Sequence, residues 1–214
     1  MLHRESVSEA TGYPSAGMSR LGGVSAMLVT AVLLASLLSF FVALPGLGLR
    51  NWLVVLLELN AGTGGLPVDP LRVLNPLDFA VLVLVGITFL GLQPALRRVS
   101  RVWMAIAVAM PFAGIALFAI TRLAGRSTVM GAGLVIALLM LRGTGFSRPL
   151  AYTGILANAF LLVADFATGT SLAPLAAALV GVGYVLLVAW FLLIGARLLG
   201  WSGFRRDTQV GGHT

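Results

Sequence analysis

The sequence predicts an all-α protein, a polytopic bundle of six transmembrane helices. Three observations carry this: an apolar composition, six separated apolar runs long enough to span a bilayer, and arginines gathered at alternate ends of those runs. Of the 214 residues, 59% are hydrophobic and 10% charged, against about 45–50% and about 25% in soluble domains. A span consumes about 20 residues to cross about 30 Å of hydrocarbon. Six spans with short loops therefore use nearly the whole chain and leave no room for a soluble domain.

Residues 1–21 are polar, with Gly12, Pro14 and Ser15 among mixed charges, and read as a flexible cytoplasmic tail. The first apolar run, residues 22–44, exceeds the core of a cleaved signal peptide and is expected to be a retained helix. The connection that follows contains NWLVVLLELN at residues 51–60, too short to span at 1.5 Å per residue and too apolar to float in water. It reads as a short helix in the interface or over the outer mouth of the bundle, with Glu58 turned to water. AGTGGLPVDP then forms a turn-rich linker.

The second run, residues 78–96, opens with LNPLD. Asn75 is suited to cap a helix, Pro76 to take its first position, and Asp78 to place negative charge at the positive end of the dipole. The third run, residues 102–121, carries Pro111 at mid-span, where a missing donor favours a kink. Its Ala105, Ala109 and Ala113 recur every four residues and are expected to mark a packing face inside the bundle, although the same spacing serves a homodimer. Residues 127–141 form the fourth and shortest run, which spans only by recruiting Arg126 and Arg142 as snorkelling ends or by thinning the bilayer locally.

The fifth run, residues 149–168, holds Asp165, about 5 Å inside the outer edge of the hydrocarbon at 1.5 Å per residue and too short to snorkel well. Asn158 lies seven residues earlier, rotated only about 20° from it, and Gly154 continues that face toward the bundle interior. The sixth run, residues 174–196, carries the small residues Ala177, Gly181 and Gly183, and Tyr184, a candidate partner for Asn158. Residues 198–214 read as a second cytoplasmic tail.

All fourteen basic residues are arginine, and the net charge is +7. They flank apolar runs, with no basic helix or aromatic-interleaved patch, which argues against nucleic acid. With the amino terminus inside, Arg4, Arg20, Arg97, Arg98, Arg101, Arg142, Arg148, Arg197, Arg205 and Arg206 fall inside, and Arg50, Arg72, Arg122 and Arg126 outside. Cytoplasmic loops hold the excess of basic residues, so both termini are expected in the cytoplasm of a cell that carries the chain in its plasma membrane. Trp103, Trp190 and Trp201 are expected at the inner interface.

The chain has no cysteine, which excludes disulfides, thiolate metal sites and cysteine nucleophiles. Its histidines, His3 and His213, lie in the tails, so the usual intramembrane haem, copper and zinc ligands are missing; no metal or cofactor is expected. Two readings of Asp165 stand. It is a structural clamp, bonded to helix ends or paired with Arg122 or Arg126, or a proton or cation site lining an outward-facing cavity. A shared vestibule of Asp78, Glu58, Asp165 and Arg122 is a further arrangement of the same groups.

With LNPLD opening its second helix and GILANAFLLVADF at residues 154–166, the chain resembles small six-helix membrane proteins of bacteria and archaea catalogued as families of unknown function. That resemblance implies six helices and no particular activity. The leading functional expectation is a non-catalytic accessory, assembly or structural subunit of a membrane complex, in contact with lipid and with other subunits or copies of itself. The alternative is a small-solute or ion transporter or channel whose polar path includes Asp165, Asn158 and Tyr184. An intramembrane enzyme fits least, lacking a Ser–His pair within the spans or a histidine-rich metal motif.

Overall fold

The computed structural model describes residues 16–43, 70–118, 122–167 and 173–210. Among them are six α-helices: α1 (Ala16–Ala43), α2 (Pro70–Leu96), α3 (Arg101–Phe118), α4 (Arg122–Arg142), α5 (Arg148–Ala167) and α6 (Ala173–Val210). Five segments, Gly17–Ala35, Phe79–Leu96, Ala124–Arg142, Arg148–Ala167 and Ala178–Gly200, are long and apolar enough to cross a membrane, and Arg101–Leu117 is a shorter apolar helix. The chain is thus an all-helical, multi-pass membrane protein.

Length falls differently from the sequence expectation. Among the described residues the shortest apolar helix is α3, and α4 begins at Arg122, so that Arg126 sits within the helix and is used by the bundle. Likewise α2 begins at Pro70, so Asn75 and Pro76 lie in its second turn and do not cap it. Pro70 takes the first helical position, where a fixed φ and a missing N–H cost nothing. The expected tail after residue 197 begins as a continuation of α6, which runs to Val210. The apolar segment 51–60, with Glu58, lies outside the described residues.

Each helix packs against its neighbours in sequence, and α6 returns against α1 to close a ring. Direction alternates. The start of α1 meets the end of α2 at Gly22 and Gly91, the end of α3 meets the start of α4 at Gly114 and Gly125, and α1 meets the last part of α6 at Gly23 and Leu198. At the first of these crossings the backbones touch: a Cβ on Gly22 or on Gly91 would lie 2.6 Å from the other's Cα. Lipid tails are as apolar as leucine, so such close approach, and not hydrophobic drive, holds membrane helices together. The interior of the ring is filled by Phe89, Leu92, Leu96, Met104, Ile136, Met140, Leu161 and Trp190.

Two sequence expectations about faces are reversed. On α3 the buried face is Met104, Ala107, Pro111 and Gly114, while Ala105, Ala109 and Ala113 are exposed. The alanine stripe is therefore an outer face, because the larger Met104 and the proline ring fill the space toward α2 and α4. Trp190 is fully buried, and Trp103 is 52% exposed near the start of α3; only the latter suits an interfacial belt. The side chain of Trp201 lies outside the described residues. On α6, Gly183 packs against Leu161 and the Ala157 carbonyl, whereas Gly181 has open space around it; the side chain of Ala177 lies outside the described residues.

Candidate functional site

Among the described residues the most buried charged side chain is that of Asp165, on the last turn of α5 and 3% exposed. A carboxylate at a helix C-terminus meets the negative end of its own dipole, but α4 runs the other way and brings its positive amino-terminal turns alongside. Two consecutive residues of α4 use that placement. Arg126 Nη2 lies 3.5 Å from Asp165 Oδ1, and Ser127 Oγ donates to Asp165 Oδ2 at 3.2 Å. The arginine side chain is 17% exposed and the aspartate side chain 1%, so the pair is buried at its anion and opens slightly at its cation.

The structure therefore places Arg126 against Asp165. Arg122 begins α4, and its side chain lies outside the described residues. The same holds for the side chain of Asp78 in α2, so the vestibule of Asp78, Glu58, Asp165 and Arg122 falls outside the described residues. Ser127 was invisible to sequence reasoning, although its position next to an arginine facing an intramembrane carboxylate is a usable signal.

Gly154, Asn158 and Asp165 share the buried face of α5. Asn158 Nδ2 donates to the Gly154 carbonyl one turn earlier, at 2.7 Å. Its carboxamide lies over Gly133 of α4, where any Cβ would overlap it. The expected Asn158 to Tyr184 bond is not formed. The neighbouring position, Ala157, is the one that faces α6, through its contact with Gly183, and one residue further along a helix is rotated by about 100°. Asn158 thus faces α4, while Tyr184 is half-buried among apolar neighbours. About 10 Å of helix separates Asn158 from Asp165, with Leu161 and Ala164 fully buried between them.

Gly154 gives room to Trp190, which the sequence placed at the interface and not in the core. The indole of Trp190 lies directly on its backbone, alongside Ala137 of α4. Phe89 and Phe191 meet the indole edge-on, with ring centroids at 6.3 Å and 5.2 Å. Trp190 Nε1 is buried without a hydrogen-bond partner. A buried indole normally finds an acceptor, and nothing in the packing explains why this one does not.

Among the described residues no group of three or more His, Asp or Glu side chains is placed to hold a metal ion. The arrangement at Asp165 is suited to joining two helices by a charge-assisted contact in a low-dielectric setting. Comparison of the chain with family models, with curated proteins and with solved structures gave no match.

Proposed function

We propose that the chain is a non-catalytic accessory or structural subunit of a membrane complex, a packed helical block that other membrane helices or further copies of itself bind. The observation that carries the reading is that the intramembrane carboxylate is taken up by the bundle's own Arg126 and Ser127, as a clamp requires. The outward Ala105, Ala109 and Ala113 of α3 supply a surface on which another helix can approach closely. Membership among small six-helix membrane proteins, residence in the plasma membrane and a cytoplasmic arginine-rich end belong to the same proposal.

Purification in mild detergent tests it. The native chain should elute with a partner or as an oligomer, and Ala109→Leu should release it while leaving the thermal transition unchanged. Elution of the native chain as a lone monomer would count against the reading.

The partial exposure of Arg126 beside a buried carboxylate favours a second reading, a small-solute or ion path through the polar site. Proteoliposome flux that disappears in Asp165→Asn, with the fold intact, would select it.

A further inference from the structure

The alternation of the helices gathers arginines at one end of the bundle, and the turns there draw them together. Arg97, Arg98, Arg101, Arg142, Arg148 and Arg197 are all exposed at this end. The α2–α3 turn lies against the α4–α5 turn, since a Cβ on Gly143 would sit 3.2 Å from the Val99 side chain. Arg197 of α6 reaches over the second turn, with Nη2 at 3.5 Å from the Gly145 carbonyl. Phe146, 8% exposed, anchors that turn in the core. One continuous cationic surface results, built by α2, α3, α4, α5 and α6.

Two features show what it fits. Arg101 and Arg148 are the first residues of α3 and α5, where the positive end of the helix dipole repels a cation and attracts an anion. An anion above those termini turns both placements favourable. Trp103 and Tyr152, each 52% exposed, lie within one turn of those arginines, and amphipathic aromatics of this kind sit at headgroup depth. Guanidinium binds phosphate oxygens in bidentate fashion.

We infer that this end is a binding surface for the phosphodiester headgroups of acidic phospholipids. The lipid supplies the charge that the helix starts call for, and its acyl chains lie along the apolar flanks of α3 and α5.

The full-length protein in mixed micelles is titrated with phosphatidylglycerol or phosphatidylcholine, and retained lipid is counted by native mass spectrometry. The expected result is a preference for phosphatidylglycerol that falls about fivefold for each arginine replaced in Arg101→Gln and Arg148→Gln, with the thermal transition in phosphatidylcholine unchanged. Arg101→Lys should keep part of the preference. Should a glutamine variant fail to fold, the preference of the native chain must still weaken as salt is raised. Equal retention of both lipids, a preference that survives both substitutions, or a preference insensitive to salt overturns the inference. So does displacement of the lipid by inorganic phosphate or a soluble polyglutamate peptide at the same charge concentration.

Discussion

Asp165 shows how a single side chain can fix the relation of two helices. Its carboxylate is held by adjacent residues of α4, so it sets both the separation and the rotation of α4 against α5. Replacing it in Asp165→Asn leaves Arg126 mostly buried without its anion. Removing one partner of a fully buried pair costs roughly 3–5 kcal/mol. With Arg126 partly exposed, a loss of about 2–3 kcal/mol is expected in chemical unfolding from mixed micelles. Because the two residues share one contact, Asp165→Asn combined with Arg126→Gln should cost less than the sum of the single changes.

Gly133→Ala is expected to destabilise by about 1–3 kcal/mol, as overpacking does, since its methyl would overlap the Asn158 carboxamide. Asn158→Ala should recover much of that loss, and a double-mutant cycle by the same unfolding assay checks it.

Asp165 and its cationic partner on the neighbouring helix were legible in the sequence, because a lone carboxylate in an apolar run has few ways to exist in lipid. The direction of Asn158 was not, because facing α4 or α6 depends on a rotation of α5 that hydropathy does not encode. Trp190 near the end of an apolar run reads as an interfacial residue; the vacancy that Gly154 leaves for it on another helix is a tertiary fact.

Among the elements, α1 and α2 are joined by a direct backbone approach at Gly22 and Gly91. At Gly91→Ala the new methyl meets the Cα of Gly22 at 2.6 Å, an obstacle that cannot swing aside as a side chain does. The two helices must separate, and a loss of about 1–3 kcal/mol is expected. Gly181→Ala meets nothing within 4 Å and should instead be neutral or stabilising by up to about 1 kcal/mol through helix propensity. Thermal transitions of both variants in the same detergent decide this contrast.

The six described helices and their order were written in the apolar runs, but several of their ends were not. Extra turns at the starts of α2 and α4 carry arginine, asparagine and proline among apolar residues, and such mixed stretches resemble loop by hydropathy alone. The outward turn of the Ala105 stripe follows from the bulk of Met104 and Pro111, which a rule about small residues does not weigh.

At the scale of the whole molecule, the alternating ring separates two chemically different ends. One is exposed arginine; the other holds the Arg126–Asp165 pair. The chain contains no cysteine, so single cysteines can report sidedness without background. Ser100→Cys and Thr144→Cys, in the adjoining α2–α3 and α4–α5 turns, should react with an impermeant maleimide from one and the same side of a sealed vesicle. The sequence pointed to this polarity through its arginine split, since charge at helix ends is local information. Closure of the ring was hidden, because it joins the two helices farthest apart in the chain.

That closure bears on how the protein is made. Gly23 and Met27 of α1 are covered by Leu198, Leu199 and Gly195 of α6, so α1 keeps one side unsealed until α6 has been inserted. A chain stalled after α5 would carry that naked side into the membrane. The seam between α1 and α6 is thus made later than the contacts between helices adjacent in the chain.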